Sequence, residues 1–562
     1  MGTDAANEER DGSLEADPML EHGGGAARPE AAKEDPLLPP PPVLGAGDRP
    51  SEAADEDCSP HEAKALRAQL LVAGGVFLLG VAAGFPIGFS AVLLPQLQAP
   101  GSSLPTDDDM ASWIASIHSA ATPVGSLLSG LVADRFGRRL ALQAAALPYA
   151  AGWVVMALAR SHAAVIAARV VCGFSVGLTA APAQIILGEV AEPRVRGMLS
   201  GTPFISYSLG ILLVYALGAS LPWRLASWLA TAVPLLALLV FCFLPESPVW
   251  LARRGRVEGA RRALLTLRGG DATKVKQELA ELLRQLPPDN GRRSSLHNIA
   301  SSQNSIGLLG SQKILSSIKN TIARPRALGA YLEPHNLKPF LIVLAFGLSQ
   351  AVCGTYMVIF YAVDLVSKAG PGGGGRAATL RPVRHAVLTA IVRLAFVCLA
   401  SGLMFSVGRR PLALASGCAS AMTALALGVL LSGEPSPWVV AVLLQVFVAA
   451  NTVGFFILPG VCIGELLPAS VRGSAGGVIF MLFNLCLFGM AKVFPAMSRS
   501  MGGHGLFWFF SACTALTTVF LYLFLPETRN KTLQEVEYYF RQDNILWRPP
   551  QKGKPAKAAA VC

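Results

Sequence analysis

The sequence predicts an all-α membrane protein with about twelve transmembrane helices in two six-helix bundles, plus helices in a cytoplasmic linker between them. Three observations carry that prediction: the composition, the recurrence of long apolar stretches, and charged motifs that return at a constant helix offset. Hydrophobic residues make up 52% of the 562-residue chain and charged residues 15%, and the mean hydropathy is +0.48. In water such a chain would expose far more apolar area than one core buries. A hydrocarbon layer removes the difficulty, because a helix of about twenty apolar residues crosses its thickness of about 30 Å.

Taken in order, residues 1–65 are rich in Gly, Ala, Pro, Glu and Asp and read as a disordered cytoplasmic tail, not a cleaved signal. Residues 66–252 hold the first bundle, with spans near 70–94, 112–133, 139–159, 163–188, 199–220 and 225–244. Residues 253–338 form the cytoplasmic linker: 253–284 has helix-forming composition with interleaved charge, and 294–317 is Ser-, Gly- and Asn-rich and expected to be mobile. Residues 339–528 hold the second bundle, with spans near 340–366, 386–405, 411–432, 437–463, 473–496 and 506–525. Residues 529–562 form a cytoplasmic C-terminal tail.

Charge placement orients the spans. The formal net charge is +11, but the basic residues sit in short connections between spans, where they set topology, and no nucleic-acid-binding pattern accompanies them. Arg135, Arg138 and Arg139 follow the second span, Arg194 and Arg196 the fourth, Arg409 and Arg410 the eighth, and Arg472 the tenth. The first connection instead carries Asp107, Asp108 and Asp109. Even-numbered spans therefore end inside, and both termini are cytoplasmic. The seventh–eighth connection dissents, with Lys368, Arg376, Arg381 and Arg384 outside. The ten cysteines lie mostly in apolar spans, without CxxC or metal-ligand spacing, and read as small apolar fillers.

The motifs repeat. Gly137-Arg138-Arg139 matches Gly408-Arg409-Arg410. Glu189 with Arg196-Gly197 matches Glu465 with Arg472-Gly473, and Pro245-Glu246-Ser247-Pro248 matches Pro526-Glu527-Thr528-Arg529. Second pairs with eighth, fourth with tenth, sixth with twelfth, as two parallel halves related by an axis along the membrane normal require.

With Gly130 ahead of Asp134-Arg135-Phe136-Gly137-Arg138-Arg139, and the Pro-Glu-Ser and Pro-Glu-Thr closures, residues 66–542 resemble the sugar-porter family of the major facilitator superfamily. Ser112-Trp113-Ile114-Ala115-Ser116 and Lys492-Val493-Phe494-Pro495 look most similar to insect trehalose-transporter-like members. The resemblance implies the major facilitator fold and facilitated diffusion of a sugar such as trehalose or a hexose across the plasma membrane. It implies no cofactor, no nucleic-acid partner and no enzyme activity; the oligomeric state stays open.

Arginine can grip carboxylates bidentately. Asp134, Arg135, Arg138, Arg139, Arg169, Glu189, Arg196 and Glu246 in the first half are therefore expected to form a gating network of ion pairs at the inner helix ends. Arg409, Arg410, Glu465, Arg472 and Glu527 do so in the second, which Phe405 and Ser406 weaken by standing where Asp-Arg is expected. For substrate, the resemblance points to Gln350, Phe204, Tyr356, Arg393 and Asn484, but most of the family's amides are gone: Ala351 and Tyr356 replace a glutamine and an asparagine, Phe204 a glutamine, and Gly460 a tryptophan. Pro459 and Gly454 are expected to loosen the tenth span. Arg393, in an apolar span, attracts an anionic substrate, pairs internally, for instance with Asp364, or snorkels to the interface. His118 reads as a satisfied core histidine.

Proton-coupled sugar porters resemble one another in an Asp of the first span near the fourth-span arginine, here Arg169; residues 70–97 contain no Asp or Glu. Facilitated diffusion follows. The rivals are a carrier of a non-sugar organic anion, favoured by Arg393, and a transport-incompetent sensor, favoured by the long tails. The sequence holds no ATP-binding loop, zinc cluster or nucleophile elbow.

Overall fold

A computed structural model of the chain describes residues 60–284, 333–361, 376–433, 436–468, 472–529, 531 and 533–541. The 294–317 stretch, Asp364 and most of both expected tails lie outside them. Every regular element described is helical. The first half comprises α1 (Pro60–Gln98), α2 (Asp108–Phe136), α3 (Arg138–Leu158), α4 (His162–Val190), α5 (Pro193–Ser220) and α6 (Trp223–Phe243). Caps set their starts: Asp107 accepts the Met110 N–H at 3.0 Å before α2, and Ser161 accepts that of Ala164 at 3.3 Å before α4. Inside α1, Pro86 lacks the N–H that would bond the Ala82 carbonyl. The Tyr149 hydroxyl of α3 donates to that carbonyl instead.

Three short helices follow, α7 (Pro248–Arg253), α8 (Val257–Leu267) and α9 (Ala272–Arg284). Arg268, at the end of α8, binds Glu278 of α9 at 2.7 Å and donates to the Val190 carbonyl at 3.1 Å, tying the linker to the end of α4.

The second half is more broken than the sequence predicts. Its first span divides into α10 (Pro334–Val352) and α11 (Thr355–Phe360). Gly354 between them has φ +85°, and a Cβ there would press on the Phe510 ring at 2.5 Å. Next come α12 (Arg376–Ser406), α13 (Arg409–Leu431) and α14 (Pro437–Asn451), then a π-helical turn, Thr452–Phe456, and α15 (Leu458–Leu466). That turn lies where Gly454 and Pro459 were expected to loosen the span. Gly454 also lets the backbone close on α13, donating to the Ser416 hydroxyl at 3.0 Å. The last two spans run as one element, α16 (Arg472–Phe524), broken at Gly502 (φ +68°, ψ 176°); α17 (Leu533–Arg541) ends the described chain.

Among the described residues, ten helical stretches are long and apolar enough to cross a membrane. One of these holds two crossings separated at Gly502, and α2, with its many serines and His118, adds another, giving twelve. In the first half α1 packs on α5 and α6, and α4 on α2 and α3. Small residues bring α2 and α4 together, for a Cβ at Gly177 would lie 2.6 Å from the Ser126 nitrogen. In the second half α16 packs on α10 and α13, and α12 on α14. The halves meet where α2 lies on α16, α5 on α12 and α1 on α11.

Candidate functional site

At the motif end of the first half, Gly137 (φ +105°) turns the chain from α2 into α3. The first N–H groups of α3 then have no partner within the helix. Glu246 takes two of them: Oε1 accepts from Arg138 at 2.8 Å and from Arg139 at 3.0 Å. A carboxylate there also meets the positive end of the α3 dipole. Glycine is required beside it, since a Cβ at residue 137 would lie 2.7 Å from the Glu246 carboxyl carbon. The Arg138 side chain, 3% exposed, grips Glu189 through Nε and Nη2, both at 3.1 Å, and reaches Asp134 at 3.2 Å and the Ala133 carbonyl at 3.1 Å. The Ser247 hydroxyl donates to Glu189.

The second half repeats this nearly atom for atom. Glu527 accepts the Arg409 and Arg410 N–H groups at 3.0 and 3.1 Å. Arg409 grips Glu465 through Nε (3.1 Å) and Nη2 (2.8 Å), and donates to the Met404 carbonyl at 3.0 Å. Thr528 donates to Glu465 at 2.5 Å. Arg139 and Arg410 bond the carbonyls of Cys242 (2.9 Å) and Tyr522 (2.6 Å).

Several expectations need correction. Glu246 and Glu527 cap helices through backbone N–H groups instead of pairing with arginine side chains. Arg135 is exposed over the Phe136 ring, 5.8 Å from its centroid. Arg169 is not at the motif end at all. The second half keeps the arginine–glutamate grip without the missing aspartate, which corresponds to the peripheral, 74% exposed Asp134, but its Arg409–Glu465 pair is more exposed, at 22% and 26% against 3% and 14%. The side chains of Arg196 and Arg472 lie outside the described residues. The ion pairs join helices of one half, so they brace the end of each bundle.

Deeper in the first half, Arg169 of α4 is 1% exposed and fully engaged. It donates to the carbonyls of Ile114 (2.9 Å), Pro86 (2.5 Å) and Ala115 (3.2 Å) and to the Ser90 hydroxyl. His118 is buried and neither ring nitrogen finds a partner among the described residues, so it is not the satisfied core histidine expected.

Between the halves lies an aromatic centre. The Phe456 ring, in the π-helical turn, faces Phe204, Tyr207 and Tyr356 at centroid distances of 6.3, 6.1 and 6.2 Å. Tyr356 also meets Phe483 at 5.6 Å. Arg393 of α12 lies over Phe456 at 4.8 Å. Gln350 donates to the Phe456 carbonyl at 2.9 Å, so its amide NH₂ holds the broken span instead of standing open. Asn484 donates to Phe480 of its own helix at 2.8 Å. Two departures from the sugar-porter pattern compensate each other: the Phe204 ring tip lies 2.6 Å from where a Cβ of Gly460 would sit. An aromatic ring has moved from one span to another.

At the opposite end the halves are joined by pairs the sequence did not reveal. Lys492 binds Asp109 at 2.7 Å and the Ser112 hydroxyl at 2.8 Å, with the Trp113 ring 4.3 Å away. Arg499 binds Asp108 at 2.7 Å. The signal was an acidic triplet with a lone lysine in a distant apolar span, and nothing local says that they meet.

Two helical halves, each closed at the same end by the same arginine, glutamate and cap, define the architecture of a major facilitator transporter. The family model described as "Sugar (and other) transporter" matches residues 72–540, and the chain belongs to that family. It is 29% identical over 483 residues to the "Facilitated trehalose transporter Tret1" of Culex quinquefasciatus, covering 84% of this chain and 86% of that one. It is 30% identical over 477 residues to the protein of that description from Drosophila virilis, covering 84% of this chain. The chain spans about half the length of the Drosophila relatives it matches, 51% and 48% in two of them. Among solved structures, the proton:xylose symporter XylE bound to 6-bromo-6-deoxy-D-glucose superposes with a TM-score of 0.63 at 21% identity, covering 85% of this chain and all of that one. That likeness speaks to the fold alone.

Proposed function

We propose that this protein carries a sugar, such as trehalose or a hexose, down its gradient by alternating access, from a plasma-membrane location with both termini cytoplasmic. Family membership and the Tret1 relatives support the solute class. The observation that carries the uniport reading is the surroundings of Arg169: its N–H groups are spent on three carbonyls and a serine hydroxyl. Among the described residues no carboxylate bonds to it there to load and release a proton. In this reading Phe204, Tyr356 and Phe456 form the barrier at the centre, with Gln350 holding the broken tenth span. The charged clusters keep each bundle rigid as the bundles rock, and the opposite-end pairs open and close.

Uptake of radiolabelled trehalose and glucose into proteoliposomes tests this. Uptake should run to equal concentrations inside and out, with an unchanged endpoint under an imposed proton gradient. Accumulation above the outside concentration, driven by that gradient, would overturn the uniport reading.

A further inference from the structure

We propose that the solute accommodated at the aromatic centre bears a single carboxylate, as a sugar acid does, and that Arg393 receives it. The proposal rests on the transport reading above and moves its preferred solute from a neutral sugar to the acid of one. Arg393 is 2% exposed, midway along α12. A guanidinium offers five N–H donors. Here Nη2 makes one long bond, 3.4 Å, to the Thr355 carbonyl, and Nη1 has no partner among the described residues. Among the described residues no ion pair compensates the charge.

The same fold shows what a purely structural buried arginine looks like. Arg169 is equally buried, and its donors are spread over three carbonyls and a hydroxyl. Arg393 has no such cradle. Its main neighbour is the face of Phe456 at 4.8 Å, and a ring quadrupole attracts a cation without neutralising it. A buried charge without a counter-charge is strongly unfavourable, and an ionisable residue inside a membrane span marks a functional site by default.

The groups around it fit an oxygen-rich anion. Asn451 accepts from the Thr355 hydroxyl, and its buried Nδ2 has no partner among the described residues, a second unspent donor beside the same residue. The Tyr207 and Tyr356 rings lie 6.1 and 6.2 Å from the Phe456 ring, over which Arg393 stands at 4.8 Å. A carboxylate presents two acceptor oxygens and one negative charge, which matches one uncompensated cation. A phosphate monoester would bring about −1.5 to −2 charges against that single cation. The hydroxyls of the sugar would take the tyrosine and amide groups.

The test is competition and direct uptake in proteoliposomes, with glucose, glucuronate and glucose 6-phosphate as probes, for the wild type, Arg393→Gln and Arg393→Lys. Glucuronate is expected to compete at least about tenfold better than glucose in the wild type, a factor equivalent to about 1.4 kcal/mol. Arg393→Gln should bring the glucuronate-to-glucose competition ratio down to about one, a ratio that is read whatever overall rate the variant keeps, and Arg393→Lys should retain part of the preference. Glucose uptake without glucuronate preference in the wild type overturns the proposal and leaves the sugar-transport reading standing. Preference for glucose 6-phosphate overturns the single-carboxylate assignment. Equal loss of both sugars in a folded Arg393→Gln protein makes the arginine structural, and no uptake of any probe by the wild type removes both readings. Should the glutamine variant fail to fold, the wild-type preference and the lysine variant decide the matter.

Discussion

Glu189→Gln and its counterpart Glu465→Gln remove the same ionic partner from the same motif in two halves, yet they should differ in effect. Arg138 is 3% exposed and Glu189 14%, whereas Arg409 and Glu465 are 22% and 26% exposed. Stripping the carboxylate from a buried pair leaves an uncompensated charge and costs about 3–5 kcal/mol. For the half-hydrated pair the cost falls toward the surface range, to about 1–2 kcal/mol. At about 2 °C per kcal/mol, the lower end for large domains, Glu189→Gln should lower Tm by about 6–10 °C and Glu465→Gln by about 2–4 °C. The assay is thermal denaturation in detergent, followed by the monodisperse fraction after heating. A further variant sharpens it: Arg138→Met with Glu189→Leu removes both charges and should recover much of the loss. Equal shifts in the two single variants, or a larger one for Glu465→Gln, would refute the link drawn here between burial and the strength of the brace.

Other outcomes follow from the geometry. Gly137→Ala should destabilise more than Gly408→Ala: both would displace a capping carboxylate, but only Gly137 also sits at φ +105°, which costs a side chain about 1–3 kcal/mol more; expression level and Tm compare them. Lys492→Ala removes a partly exposed pair and a ring contact, together worth about 0.7–2 kcal/mol. With spin labels at Ser103 and Ser500, the population with the opposite ends apart should grow about three- to thirtyfold, and high salt should act in the same direction. The Asp271 carboxyl is held below its usual range by the backbone N–H groups of Lys274 and then Thr273. A folded value below the unfolded one means that its stabilisation of α9 is complete above about pH 4 and fades as pH falls through the folded value. Protection factors over 272–284, taken relative to the intrinsic exchange rate at each pH, should therefore fall in acid in the wild type and not in Asp271→Asn.

Span number and pairing of the halves were readable because both depend on local signals, namely apolar length and motifs at helix ends. The breaks were not. Gly354 and Gly502 are ordinary glycines in a glycine-rich chain, and their positive φ values appear only once Phe510 and the α16 turn are in place. Glu246 and Glu527 looked like ion-pair partners because arginines stand opposite in sequence. Their nearest donors are instead the N–H groups at a helix start, a role decided by the angle at which the sixth and twelfth spans end. Phe204 and Gly460 each looked like a loss from the sugar-porter pattern; only their juxtaposition shows one ring replacing another. Arg393 was conspicuous as a charge in an apolar span, but whether it was cradled like Arg169 could not be read without neighbours from four other elements.

Counterflow in proteoliposomes tests the central claim, that two rocking halves expose one sugar site to each side in turn. Vesicles loaded with unlabelled glucose and diluted into a trace of labelled glucose, with no ion gradient, should accumulate label transiently above its outside concentration and then release it. A protein that binds labelled glucose yet shows no such overshoot would contradict the account.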